Sequence, residues 1–374
     1  MKHYDIIIIG GGLAGLTAAI HLANAGHGIL VFEKEPYPHH KVCGEYVSNE
    51  VLPYLKSLGI NLKDHKAVSI DTLKFSSVKG RVLETKLPLG GTGISRYVFD
   101  DLLYKRAVAS GVSFIFEGVS SINFKTSVFK VVTVNNKQFT SRITIGAYGK
   151  RSSLDKHLKR NFINRKSSWL AVKSHYKLDS FPENQVGLHN FNGGYAGLSK
   201  TESGAINFCY LTSYKSFQRE KDIERFNTRV VSKNAILKDF LNLAKPLFEL
   251  PLTIAQISFH PKKPVEGHVL MCGDTAGLIH PLCGNGMAMA IHSAKIASER
   301  IDFFLKEKEP NRNKLEREYR EEWSRTFKKR LWLGRQLQKL LLNPTVSHWG
   351  ITLVAKQPWL LKQLIKNTHG QPIQ

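Results

Sequence analysis

Three stretches of the chain carry the residue types and spacings that chemistry needs. In the first, Gly10, Gly12 and Gly15 punctuate a turn that also holds Gly11, Leu13 and Ala14, and Glu33-Lys34 closes the next apolar run. Glycines so spaced let a backbone turn sharply, approach a pyrophosphate and pack a helix on a strand, while the carboxylate accepts a ribose 2′-hydroxyl. The same carboxylate repels a 2′-phosphate, so the pattern favours FAD or NAD over NADP. In the second, Lys41-Val42-Cys43-Gly44 follows two prolines and sets a thiol in a loop. In the third, Gly273-Asp274 leads through His280-Pro281 and Gly284 to Gly286-Met287. Asp274 can accept from a ligand hydroxyl, a helix opening at Gly286 can stabilise negative charge, and His280 can carry a proton.

The elements that must position these residues follow from their flanks. Tyr4 to Ile9 is a short β-branched run, Leu13 to Ile20 is rich in Ala and Leu, and Ile29 to Phe32 is a second apolar run. That order predicts strand, helix and parallel strand, a βαβ unit. His268 to Met271 repeats the pattern of a short strand ended by glycine. Between them the sequence predicts a helix over 97–110, strands over 67–89 and 112–118, a hairpin turning at Asn135-Asn136, strands over 169–214 and helix over 219–244. Ile143 to Gly149 reads as a strand whose small residues lie against a ligand.

Composition bounds the class. The chain has 374 residues, 42% of them hydrophobic, enough for one large core or two smaller ones. Cys43, Cys209, Cys272 and Cys283 show no metal-ligand spacing and no disulfide framework, which fits a reducing compartment and a cytoplasmic setting with no metal. No apolar run is long enough for a membrane span, and the run after Lys2 belongs to the nucleotide turn. The formal charge of +24 favours an anionic partner such as a membrane surface or an acidic carrier protein.

Together the three motifs resemble the FAD-dependent oxidoreductases of the glutathione-reductase-like superfamily, in the branch of p-hydroxybenzoate hydroxylase and geranylgeranyl reductase. The resemblance covers about residues 1 to 300 and implies an α/β (α+β) fold. It implies a Rossmann-type FAD-binding domain of residues 1–66, 90–165 and 260–308, an antiparallel-sheet substrate domain of 67–89 and 166–259, and a helical, basic region at 309–374. By that match Gly10, Gly12, Leu13, Ala14, Gly15, Glu33 and Lys34 hold the ADP half. Arg96 stands at the family's FAD-contacting arginine and Val119 meets adenine through its backbone. Asp274 holds the ribitol, and Pro281, Gly284, Gly286 and Met287 lie along the isoalloxazine with the Lys41-Val42-Cys43 loop opposite. Cys43 and His280 are the catalytic candidates.

The loop at 41–44 and the order Gly273 to Gly286 look most like the geranylgeranyl reductase group. The resemblance therefore implies reduction of a carbon–carbon double bond in a hydrophobic small molecule, whether lipid, isoprenoid or polyketide-like, by hydride from flavin N5. The alternative is a monooxygenase that hydroxylates through a C4a-hydroperoxide, and halogenase and electron-transfer readings stand behind it. Tyr148-Gly149 replaces the hydroxylases' Asp-Gly pair, so direct reduction by NAD(P)H is uncertain. Lys74 lies roughly where halogenases place a lysine, but Tyr195 to Lys200 lacks their Trp-x-Trp-x-Ile-Pro run. In the tail, Leu315, Tyr319, Trp323, Phe327 and Leu331 share one face of a long helical pattern, and Trp349 to Leu361 mixes Trp, Leu and Lys. Such faces suit either peripheral contact with the inner face of a membrane or a lid on the enzyme. Helical spacing argues against a nucleic-acid partner, which needs aromatic residues on an open sheet or groove.

Overall fold

The structure is a computed structural model describing residues 2–165, 167–342, 359, 363 and 370–374, with backbone alone at 340–342. Its first layer grows from the run Ile6-Ile7-Ile8-Ile9. Strand Lys2–Ile9 pairs in parallel with Ile29–Glu33 on one side and with Gln138–Gly146 on the other, Ile6 lying opposite Ile29 and Ile143. Val269–Met271 and Ser113–Phe116 extend the parallel set outward. All four isoleucines are buried, as strands covered on both faces require. Helix Leu13–Asn24 lies close on this sheet because position 15 is glycine; a Cβ there would collide with the Gly10 carbonyl oxygen. Helix Gly286–Lys306 packs beside it.

The hairpin around Asn135-Asn136 forms as its sequence predicts, with Asn136 in the left-handed region that asparagine tolerates. A further strand, Val119–Lys125, pairs antiparallel with Val128–Thr133. Mainly polar or half-exposed residues separate its two buried positions, Val119 and Ile122, so its apolar pattern is thin.

The second layer is a nine-stranded, mostly antiparallel sheet. Its order runs Lys245–Pro246, Trp169–Lys177, Ile206–Ser213, Gly194–Lys200, Gln185–Phe191, Val68–Ser76, Val82–Gly93 and Tyr46–Ser48, with Leu252–Ala255 also on Trp169–Lys177. The two regions interleave more finely than their sequence suggests. Tyr46–Ser48 leaves the first layer to pair with Thr92 and its neighbours, and strand Val82–Gly93 runs on past residue 90. The loop from Lys34 to Glu45 therefore crosses from one layer to the other. The expected fold class holds: a Rossmann-type layer joined to an antiparallel sheet.

Helix Arg312–Leu342 covers the first layer. Leu315, Tyr319, Trp323, Phe327 and Leu331 are all buried in the main core, and the Tyr319 hydroxyl donates to the Met271 carbonyl at 2.6 Å. That row of side chains is occupied by the protein itself. Of the second tail segment, 349–361, only Trp359 falls within the described residues, and it is exposed. No helix among the described residues is long and apolar enough to cross a membrane. Because Trp323 is a core residue, Trp323→Ala should lower unfolding free energy by about 3–5 kcal/mol in urea titration. A loss under about 1 kcal/mol, the scale of a surface substitution, would show that this helix does not belong to the core.

Candidate active site

Between the layers lies a cavity of about 1560 Å³. It gathers Gly10, Gly12, Leu13, Ala14, Glu33, Lys34, Lys41, Val42, Cys43, Arg96, Val119, Asp274, Pro281, Gly284, Gly286 and Met287 into one wall. Of the expected site residues, Gly15 and His280 are not on that wall. Gly15 sits behind it, holding helix to strand.

The end near Gly10 is built for anions. Gly12 precedes the helix Leu13–Asn24 with no side-chain cap, and a Cβ on Gly12 would meet nothing nearer than the Arg96 guanidinium at 3.7 Å. Uncapped first-turn N–H groups thus face open space beside a cation, which suits a pyrophosphate. The Glu33 carboxylate is fixed by the N–H groups of Gly11 at 2.8 Å and Lys34 at 2.6 Å. Lys41 Nζ lies 3.7 Å from it and 3.1 Å from Asp100. Arg96 grips Asp100 through two bonds of 2.6 and 2.7 Å. Burial works to raise the Asp100 carboxyl, but Arg96 and Lys41 outweigh it and hold it below the usual carboxylate range. Tyr37 closes this end, its hydroxyl donating to the Gly11 carbonyl at 2.5 Å and its ring stacking on Tyr104 at 4.5 Å.

The far end is set by two loops. Gly149 N–H donates to Thr275 Oγ1 at 2.8 Å, joining the Tyr148-Gly149 turn to the Gly273-Asp274 turn. Lys262 donates to the carbonyls of Lys150 and Asp274, 2.8 Å each, and burial pushes its amine down to about 8. Helix Gly286–Lys306 opens at the cavity, and the Asn285 side chain does not cap it, so a second uncapped helix N-terminus faces the space. One cavity with two such termini, an acid near one and Asp274 near the other, suits the charge pattern of a dinucleotide with a ring system at its second end.

The Cys43 loop is anchored from the second sheet. Glu45 is fully buried and accepts from Lys173 Nζ at 2.5 Å, from His175 Nε2 at 2.6 Å and from the Arg96 N–H at 2.7 Å. Burial works to raise the Glu45 carboxyl, while the bonds from His175 and Lys173 prevail and hold it below the usual range. Lys173 also donates to the Lys41 carbonyl and Asn207 Nδ2 to the Cys43 carbonyl, 3.1 Å each. His40 packs edge-on against His175, and burial first, then Lys173 and His175, push it down to about 4. His40, Glu45 and His175 bring ligand-type atoms within 4.8 Å of one another, a cluster that linear spacing does not reveal. The Lys173 ammonium already serves as the cation at Glu45, which disfavours a second one.

His280 is buried in an aromatic cage of Trp169, Tyr195 and Phe259, and burial pushes its imidazole down to about 3. Cys272 and Cys283 are buried, their thiols pushed up to about 12. Lys74 is not on the cavity wall: its strand neighbours Leu73 and Phe75 are, and alternation turns Lys74 to the other face, beside His189. Sequence reasoning missed Tyr37, which lies in the same loop as Cys43, and Lys173, His175, Asn207 and Lys262, which act from strands and loops far along the chain.

Comparison with known proteins agrees with this geometry. A menaquinone reductase of Mycobacterium tuberculosis is 23% identical over 322 residues, spanning 80% of this chain and 76% of that protein. The solved structure of a geranylgeranyl bacteriochlorophyll reductase-like protein from Thermoplasma acidophilum shares the fold with a TM-score of 0.78 at 18% identity, covering 96% of this chain and 92% of that one. A flavin-dependent brominase shares it with a TM-score of 0.79 at 17% identity, covering 98% and 93%. Residues 3–327 match the FAD binding domain family, and the chain belongs to it as an FAD-dependent oxidoreductase.

Proposed function

We propose that this enzyme reduces a carbon–carbon double bond in a hydrophobic, isoprenoid-like substrate. The observation that carries the reading is the second half of the cavity, where the second sheet contributes Leu73, Phe75, Leu83, Leu87, Val186 and Leu188. A wall of that kind recognises a long apolar molecule by exclusion of water rather than by polar contacts. The loop at 41–44 and the similarity to a menaquinone reductase support the same direction. FAD, when bound and reduced, supplies the hydride.

The chain's own residues supply position and a proton. Arg96 and the helix turn at Gly12 hold the phosphates, and Asp274 the ribitol. Cys43 is the thiol of the loop at the junction of the two halves, and Arg96 lies close enough to be influenced by it. In this reading the Cys43 thiol gives the proton that completes addition to the double bond, with Lys173 and Asn207 fixing the loop backbone beneath it. His280, kept neutral in its cage, shapes the ring end and donates nothing.

The reading is tested by mixing dithionite-reduced holoprotein anaerobically with a geranylgeranyl lipid and following flavin reoxidation and product mass. The expected product is heavier by two hydrogens. A product formed only with oxygen and heavier by one oxygen would replace this reading with hydroxylation, and no product from any apolar alkene would leave an electron carrier. Cys43→Ser should slow substrate-driven reoxidation by about 10²-fold or more, the usual scale of a lost general acid, with flavin content unchanged.

Glu45→Gln should cost about 3–5 kcal/mol, since it leaves the buried Lys173 ammonium without its charge partner. The pH dependence follows from the depressed Glu45 carboxyl: its contribution is present above the unfolded carboxyl value, about 4.3, and is lost as pH falls through the lower folded value. The double variant Glu45→Gln, Lys173→Met should therefore lose less melting temperature than wild type between neutral and acid pH. Equal acid losses would show that the pair does not couple to folding.

A further inference from the structure

Leu243, Leu247 and Leu250 are 66%, 53% and 78% exposed; Leu243 closes helix Ala235–Leu243, and the other two lie in the connection from it to strand Leu252–Ala255. Their backbone is fixed. Lys245 and Pro246 pair with Lys177 and Tyr176 at the edge of the second sheet, and the Leu247 N–H donates to the His175 carbonyl at 2.8 Å. Phe248, between them, turns inward and packs on His40 and His175, ring centroids 4.7 and 4.8 Å away. The chain then enters strand Leu252–Ala255, where Thr253 and Ile254 line the cavity, as His40 does. The exposed leucines thus form the outer end of a segment whose inner end walls the site.

Clustered exposed leucines mark a contact surface. Charge selects what meets it. A second copy of this chain would bring another +24, which opposes self-association, whereas an anionic surface is attracted. Locally Lys238 and Lys245 are balanced by Asp239 and Glu249, so the leucines anchor and the whole-molecule charge attracts. Leucines on a rigid rim beside a basic body match the requirements of interfacial insertion. We propose that Leu243, Leu247 and Leu250 insert into the headgroup–acyl boundary of an anionic lipid bilayer and dock this rim of the cavity on the membrane. The proposal holds whichever reaction the flavin performs.

The test is co-sedimentation of the FAD-loaded full chain with vesicles of phosphatidylcholine and phosphatidylglycerol. Wild type should partition onto them, and the triple variant L243S/L247S/L250S should bind at least about tenfold less, as expected when apolar anchors leave an interface, with flavin absorbance and melting temperature unchanged. As a second measurement, Leu250→Cys carrying an environment-sensitive dye should shift its emission to the blue when vesicles are added. Retained binding by the triple variant, or an unshifted dye, overturns the proposal. So does a wild-type dimer that the triple variant abolishes without lipid binding, or retention by an acidic protein while vesicles are ignored.

Discussion

A single buried carboxylate ties the two layers together. Glu45 lies where the chain leaves the dinucleotide layer and enters the second sheet, in the left-handed region of backbone space. An isolated carboxylate so placed would be prohibitively costly. It is tolerated because Lys173 and His175 reach it from the far layer and the Arg96 N–H from the near one. The partners come from two elements, strand Trp169–Lys177 and the helix that opens at Arg96, so satisfying this one charge fixes the sheet, the Cys43 loop and the start of the Arg96 helix relative to each other. Arg96 then carries the order further, because its side chain holds Asp100, and Asp100 holds Lys41 on the same loop. The position of the thiol is thus decided by ionic contacts that hold its loop from both layers.

The cavity divides its work along its length. At the Gly10 end the first-turn N–H groups of a helix have no side-chain cap and the neighbouring side chains are small, an arrangement that suits phosphates. In the other half the second sheet contributes leucine, valine and phenylalanine to the wall. The flavin brings reactivity of its own, so the protein needs few acids and bases. Burial also keeps His280 and His40 neutral near the site, which limits the proton carriers available there.

What the sequence made legible was local. The turn at Gly10 to Gly15 and the Gly273 to Gly286 run could be read because glycine is demanded by backbone approach within a few residues, and the strands beside them are apolar enough to announce themselves. The strand at 119–125 was harder, since its buried positions are few. Lys173, His175 and Lys262 were invisible for a different reason: a lysine in a basic chain carries no mark of burial, and its partners sit over a hundred residues away or are backbone carbonyls. Lys74, which matches the halogenases' lysine by linear position alone, is turned away from the cavity by strand alternation.

Periodicity reports that a face is apolar and is silent about what covers it. The row from Leu315 to Leu331 has the regular spacing of an amphipathic helix, and its sequence suited a bilayer as well as a protein core; the core took it, because the Met271 carbonyl and the glycine at 277 offer Tyr319 and Trp323 a surface to pack on. The leucines at 243, 247 and 250 have no such regularity, lie at a helix end and in the connection after it, and remain in water. Whether an apolar side chain is available to a partner depends on how its backbone is held. A helix can roll its stripe onto the nearest core, whereas a segment pinned at Lys245, Pro246 and Leu247 must leave its leucines where the sheet edge puts them.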